Sequence, residues 1–333
     1  MTTETILSGI RATGRLHFGN FLGAVSNFVD YQNSDNTCLY FVADYHTLTT
    51  MVDPELLRIN QIEIVKDYIA AGLDPERSIL YVQSSVPEIA ELSLLLGMLQ
   101  PLGDLQRLPT FKDMVRKYPD NINLGTLMYP VLMAADILAP RATLVPVGED
   151  QVPNLEMARK IARKFNETYG DTFPIPKSME EMIRVPGLDG SKMGKSESDN
   201  AIDINSSIAD IRQRYAKRGV TDVSRKKLSD AGDPYHGCKS VYPVHELVTV
   251  GEVESRAIAK LCLSAQIGCS DCKNLLVDSI EAILVPFQQK RAELADQDDF
   301  IRDVLHDGAI KARALILPTV QEVREKMGLV DYG

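Results

Sequence analysis

The sequence predicts an α/β fold: a parallel sheet flanked by helices, followed by a smaller all-helical domain. Three observations carry this. Short apolar runs alternate with helical segments in the first half, residues suited to ligand contact fall directly after those runs, and the pattern turns wholly helical in the second half. Alternation of this kind gives a sheet covered on both faces, with ligands at the carboxyl ends of its strands.

The strands are expected at 5–10, 38–43, 79–83 and 142–147, each an apolar run bounded by turn residues. A helix over Phe21 to Tyr31 follows the first. Between the second and third strands lies a helix that starts at Asp53-Pro54, a capping residue before a proline in the first turn, and ends near Gly72. Arg11 to Gly14 follow the first strand, Asp44 to His46 the second, and Gly148 to Gln151 the last. Beyond Pro174-Ile175-Pro176 and a glycine-rich loop around Lys192, helical segments are expected over 206–218, 275–294 and 301–327.

With 333 residues, 44% apolar and 25% charged, the chain has the composition of a soluble globular protein with room for two cores. It has no apolar stretch of the ~20 residues a membrane span requires and no basic-then-apolar leader, so a cytoplasmic protein without a membrane role is expected. A net charge of −10 argues against indiscriminate nucleic-acid binding. A local basic face remains. Arg212, Arg214, Lys217, Arg218, Arg225, Lys226 and Lys227 lie within sixteen residues that hold one acid, Asp222; this run is a solvated helix face or an RNA contact.

Two short stretches carry the chemistry. Thr13-Gly14-Arg15-Leu16-His17-Phe18-Gly19-Asn20 joins a strand to a helix start, where free backbone N–H groups and glycines suit a phosphate. Lys192-Met193-Gly194-Lys195-Ser196 sets two ammonium groups three residues apart beside a hydroxyl, suited to spreading the charge of a triphosphate. Together they read as a split ATP site. Taken alone, the second is a solvated loop or a P-loop one residue short of its proper spacing.

Both stretches resemble the two signatures of class I aminoacyl-tRNA synthetases, His-Ile-Gly-His and Lys-Met-Ser-Lys-Ser. Ser8-Gly9-Ile10-Arg11-Ala12-Thr13-Gly14, Ala43-Asp44-Tyr45-His46-Thr47-Leu48-Thr49, Met133-Ala134-Ala135-Asp136-Ile137-Leu138 and Val145-Pro146-Val147-Gly148-Glu149-Asp150-Gln151 are similar to the tryptophanyl family, in its order and spacing. The resemblance implies a Rossmann-like catalytic domain over 1–187, the signature loop at 188–200, a helical anticodon-binding domain over 201–310, and a last helix over 311–333 able to pack back on the catalytic domain.

It implies ATP-dependent activation of L-tryptophan with Mg²⁺, transfer to tRNA(Trp), and a homodimer. His17 and Asn20 would meet the ATP phosphates with Lys192 and Lys195, and Gly19 would allow close approach of the nucleotide. Arg11, Ala12 and Thr13 would line the nucleotide, with Met193, Gly194 and Ser196 completing the loop. Gly148, Glu149 and Asp150 would meet the ribose. Asp136 would accept the indole N–H between walls of Leu7, Met133, Val145 and Val147, while Tyr129, Gln151 and His46 hold the ammonium or carboxylate end. Gly194 stands where the signature has serine, which removes a hydroxyl and loosens the loop; Asn20 replaces a histidine.

Cys238, Cys262, Cys269 and Cys272, four of the five cysteines, crowd into the helical half, and Cys38 is expected in the core. Read bare, four clustered cysteines in a cytosolic chain are a metal site or buried thiols, zinc and thiols weighing equally and an iron–sulfur cluster behind them. The run Ile267-Gly268-Cys269-Ser270-Asp271-Cys272-Lys273 resembles an iron–sulfur subgroup of bacterial members, which implies a [4Fe-4S] cluster on these four, with Zn²⁺ as the alternative. Rival functions are tyrosine activation, nucleotidyl transfer to a phosphate ester, and a non-catalytic RNA-binding role. Leu7 and the 133–136 run disfavour the first, the helical extension the second, and the paired lysines the third.

Overall fold

The computed structural model describes residues 3–179, 184–194, 200–249 and 252–330. The chain forms two compact units. One comprises Met1–Gly14, Phe28–Met182 and Asp296–Gly333; the other comprises Arg15–Asn27 and Ile183–Ala295.

The first unit is built on a five-stranded parallel sheet in the order β3-β2-β1-β4-β5, formed by β1 (Thr5–Ile10), β2 (Thr37–Val42), β3 (Ser78–Val82), β4 (Leu144–Val145) and β5 (Lys177–Ser178). β1 pairs with β2 in register from Thr5 opposite Thr37 to Ile10 opposite Val42, and β2 with β3 from Cys38 opposite Ser78 to Val42 opposite Val82. β2 is buried along nearly its whole length, as a strand covered on both faces must be, and Cys38 is in that core. The expected strand over 142–147 shortens to two residues. β5 was not foreseen, because Lys177–Ser178 offers neither length nor alternation.

Helices close both faces. Pro54–Ala70 opens on Asp53, whose side chain accepts from the Glu55 and Leu56 N–H groups, a cap worth about 1 kcal/mol. Leu124–Leu138 lays Val131, Ala134, Ala135, Ile137 and Leu138 into a core shared with Leu7, Leu39, Val145 and the helix Val152–Tyr169. The long helix Asp298–Lys326 lies on edge strand β3, adding Ala312, Ile316, Val320 and Val323 to the same core. Gly308 sets that contact: a Cβ there would stand 1.8 Å from the Leu80 carbonyl oxygen. Ion pairs from Arg313 to Glu88 (2.6 Å) and from Arg324 to Glu91 tie it to the helix Glu88–Gly97.

The second unit is helical, with Ile208–Arg218, Val241–Val248, Glu252–Leu263 and Cys269–Glu293 as its main elements. The early segment belongs to it, and there the expected helix departs from regularity: Phe21–Val25 is one π-helical turn before Ser26–Gln32. Phe21 packs edge-on to Phe287 at 5.3 Å between ring centroids. The basic run is partly consumed internally. Arg212 pairs with Asp278 (2.8 Å) and Arg225 donates to the Ile267 and Leu228 carbonyls. Among the described residues no helix is long and apolar enough to cross a membrane.

Candidate active site

In the first unit, the carboxyl ends of β1, β2 and β3 are tied into one polar floor. The Ala12 N–H donates to Thr47 Oγ1 (2.8 Å), Thr47 Oγ1 donates to the Ala43 carbonyl (2.7 Å), and Asn60 Nδ2 donates to the Ala12 carbonyl (2.9 Å). Thr13 donates its N–H to the Arg11 carbonyl (2.8 Å), closing the turn after β1. Asp44 joins β2 to β3 by accepting from the Ser84 N–H (3.0 Å), the Ser84 hydroxyl and Gln61 Nε2 (3.1 Å).

Above this floor sits a buried carboxylate. Asp136, only 1% exposed, receives His46 Nε2 at 2.9 Å on Oδ2, and Gln83 Nε2 at 2.7 and 3.0 Å on its two oxygens. Burial pushes its carboxyl above the ordinary range, and the His46 and Gln83 donors offset part of that. A charge this deep is tolerated only when its lone pairs are met by N–H groups. The His46 ring leans on Tyr129, 4.1 Å between centroids. Leu7 and Val145 belong to the core beside it, with Met133 and Val147 packed on that core half-buried. Ala135 and Ile137, which flank Asp136 in its helix, belong to that same core.

A cavity of about 320 Å³ opens in the same unit, lined by Arg11, Tyr129, Asp150 and Gln151 together with Thr110, Phe111, Lys117 and Asn154. Its volume falls in the range of small-molecule sites. Gln151 Nε2 donates to Asp150 (2.9 Å), and its Oε1 accepts from Asn154 Nδ2 (2.9 Å). Gly148 precedes the short turn Glu149–Gln151, whose Gln151 N–H returns to the Gly148 carbonyl (2.9 Å). Arg11 donates to Thr50 Oγ1 while its Nε is buried without a hydrogen-bond partner among the described residues.

The second unit holds the two signature stretches against each other. The Phe18 N–H donates to the Ile202 carbonyl (2.7 Å), His17 bridges to Asp203, and His17 Nδ1 accepts from the Asn20 N–H (3.2 Å). Met193, 3% exposed, reaches across so that its sulfur accepts the Gly19 N–H at 3.2 Å. A Cβ on Gly19 would stand 2.9 Å from the His17 ring and 3.2 Å from Met193 Cβ, so glycine is required here by the protein's own packing. Asn200 Nδ2 braces the second loop through Ser191 Oγ (2.8 Å) and the Lys192 carbonyl (3.2 Å). A Cβ on Gly194 would meet the Lys192 carbonyl oxygen at 4.0 Å, an ordinary contact, and Lys195 and Ser196 lie outside the described residues.

The four cysteines of that unit line one cavity of about 20 Å³ with Asp222, Arg225 and Tyr242, a volume near that of a single water. The Tyr242 N–H donates to Cys238 Sγ (3.3 Å), and His245 Nε2 lies 3.5 Å from Cys272 Sγ. Burial raises the Cys238, Cys262 and Cys272 thiols, the last to about 12, and the neighbouring sulfurs add to each rise. Among the described residues, no group of three or more His, Cys, Asp or Glu side chains is placed to hold a metal ion. The donor chemistry suits a thiophilic centre. All four cysteines line that one cavity, although as placed their side chains do not close into a ligand set.

Comparison with known proteins decides the family. Residues 2–285 match the model of the class I tRNA synthetases of the W and Y type. A tryptophan–tRNA ligase of Thermotoga maritima is 41% identical over 329 residues, spanning 98% of this chain and 99% of the relative. The chain belongs to the tryptophan–tRNA ligases of class I. A second such ligase, from Porphyromonas gingivalis, is 42% identical over 335 residues and equally complete. The solved tryptophanyl-tRNA synthetase of Campylobacter jejuni, a complex with ADP and tryptophan, superposes with a TM-score of 0.83 at 34% identity over 98% of this chain and 100% of that one. The synthetase thus matches that solved structure over nearly its whole length.

Sequence reasoning missed several residues that the fold brings to these sites. Gln83 was read as the end of a strand. A polar residue directly after an apolar parallel strand is a strand-end signal, and it would have found this one. Thr110, Phe111 and Lys117 sit on the helix Pro109–Lys117, whose Phe111, Met114 and Val115 form an ordinary amphipathic face with none of them fully buried, so the pattern marks a helix and not a cavity wall.

Proposed function

We propose that this synthetase activates L-tryptophan with ATP to tryptophanyl-adenylate, releasing pyrophosphate, and passes the acyl group to tRNA(Trp), releasing AMP. The observation that carries this reading is Asp136, a carboxylate buried on the helix Leu124–Leu138, whose apolar residues share a core with Leu7 and Val145, and held by two N–H donors. Such an acceptor recognises an apolar ring that bears one N–H. A site built on that bond rejects rings without it, because its own buried polar group would be left unpaired.

The amino-acid carboxylate attacks the α-phosphorus and needs no general base. Catalysis then rests on positioning and on charge stabilisation. In this reading His17, Asn20, Lys192 and Lys195 receive the phosphates, Arg11, Ala12 and Thr13 line the nucleotide, and Gly148, Glu149 and Asp150 meet the ribose. Tyr129 and Gln151 orient the amino-acid backbone. Mg²⁺, when bound with ATP, neutralises charge on the departing pyrophosphate. The helical unit reads the anticodon, and the active form is a homodimer in the cytoplasm.

Amino-acid-dependent exchange of pyrophosphate into ATP tests the chemistry. Exchange with tryptophan, and not with tyrosine or phenylalanine, is expected; silence with all three overturns the reading.

We further infer that Cys238, Cys262, Cys269 and Cys272 are the ligands of a [4Fe-4S] cluster, with Zn²⁺ as the alternative. Their shared cavity supports this, and the cluster's role is structural or in anticodon recognition. Four thiolates are the ligand set such a cluster takes. A bound cation would also reverse the mutual effect that keeps these thiols protonated. Protein purified without oxygen is expected to carry about four irons per chain, with visible absorbance lost in Cys272→Ser. One zinc per chain would replace the cluster reading, and no metal would remove both.

A further inference from the structure

Asp136 is not held alone. Gln83, fully buried, spends its amide N–H₂ on both oxygens of the carboxylate, and its Oε1, together with His46 Nδ1, has no hydrogen-bond partner among the described residues. The orientation of the amide is dictated by what it faces. A carboxylate accepts, so the NH₂ must point to it and Oε1 must point away. His46 is oriented by the same rule: the ring donates from Nε2, which leaves Nδ1 of the neutral form as an acceptor.

Structure-only bracing would be served by a side chain that left nothing unpaired. Instead the two donors converge on one carboxylate and leave two buried acceptors unmatched, an arrangement completed by a ligand that brings N–H groups.

We propose that Gln83 is a specificity-determining positioning residue of the amino-acid site: it locks the Asp136 carboxylate in the one orientation that accepts a ring N–H. The inference rests on the reading of Asp136 given under the proposed function. Without Gln83 the carboxylate keeps only the His46 contact and can rotate, so the preference for a ring bearing N–H weakens while the apolar walls still bind the ring. β-(Benzothiophen-3-yl)alanine is the matched probe, because it replaces the indole N–H with sulfur at nearly the same shape.

The experiment compares kcat/KM for tryptophan and for this analogue, by pyrophosphate exchange, in the parent, Gln83→Met and Gln83→Asn. The ratio of the two substrates is taken within each protein, so a partly folded preparation cancels. The parent is expected to prefer tryptophan by about 10²-fold or more. Gln83→Met should reduce that preference at least about tenfold, chiefly through KM for tryptophan, with KM for ATP unchanged. Gln83→Asn, which keeps an amide on a shorter stem, should retain more of it. An unchanged ratio in Gln83→Met, or equal losses on both substrates, would overturn the inference while leaving tryptophan activation intact. A parent inactive with tryptophan would instead sink the reading on which it rests.

Discussion

Gly308 offers a test of how the long helix Asp298–Lys326 is seated. In Gly308→Ala the new Cβ would meet the Leu80 carbonyl at 1.8 Å and its carbon at 2.7 Å, both fixed backbone atoms of β3. A carbon–oxygen contact needs roughly 3.3 Å, so the helix must withdraw by about 1.5 Å. A gap of half that size already forfeits a quarter to a half of the dispersion at each contact. The four large apolar side chains that this helix buries almost completely, Ile301, Ile316, Val320 and Val323, each gain about 2 kcal/mol from burial. Losing about a third of that total costs about 3 kcal/mol, and the better helix propensity of alanine returns about 1 kcal/mol. The net cost is about 2 kcal/mol, within the usual range for overpacking. At 2–4 °C per kcal/mol for a unit of this size, the midpoint of thermal unfolding should fall by about 4–8 °C. Gly194→Ala, where the Cβ meets the nearest described atom, the Lys192 carbonyl oxygen, at an ordinary 4.0 Å, is the control and should leave the midpoint unchanged. A Gly308→Ala midpoint equal to or above the parent's would refute the close seating of the helix on β3.

Asp136→Asn separates function from stability. The folded state favours the neutral carboxyl, so the stability that preference contributes is present below the unfolded value of about 3.9 and lost as pH rises through the raised folded value. The variant is therefore expected to melt higher than the parent at pH 7, to lose that advantage near pH 3–4, and to lose about 10² or more in kcat/KM for tryptophan; a variant less stable at both pH values would contradict the assignment. Gly19→Ala should push the His17 ring and Met193 apart, since the added carbon meets both within 3.2 Å. We expect KM for ATP to rise ten- to a hundredfold with KM for tryptophan within twofold, the scale of a misplaced phosphate contact; an unaltered ATP response would show that the Gly19–Met193 contact does not shape the nucleotide site.

The parts legible in the sequence were those written as local patterns. β1, β2 and β3 are apolar runs long enough to stand out, and Asp53-Pro54 marks a helix start by its own chemistry. Asp136 is visible because a lone acid in an apolar helical stretch demands a partner. Its partners were only half visible: His46 stands in a motif, whereas Gln83 becomes a site residue through the pairing of β3 with β2, a contact no local pattern announces. The same holds for the grip of Met193 on Gly19, which joins residues 174 apart. The four cysteines were legible as a cluster from spacing alone, yet their separations within the shared cavity follow from how the loop before Val241–Val248 meets the helices Glu252–Leu263 and Cys269–Glu293. The π-helical turn at Phe21–Val25 has no sequence signal. It follows the point where the segment leaves the signature turn to pack Phe21 on Phe287.

The seating of Asp298–Lys326 on β3 also bears on synthesis. From Val82, the end of β3, to Asp298, the start of the helix that covers it, the ribosome must add 216 further residues. At 5–20 residues per second this takes roughly 10–40 s, far longer than β2 and β3 need to pair. Throughout that interval the outer edge of β3 is bare: a row of backbone donors and acceptors beside apolar side chains, the template on which stray strands add. The nascent chain thus carries an exposed sheet edge, open to stray strand pairing, for the 216 residues of synthesis that separate β3 from the helix that covers it.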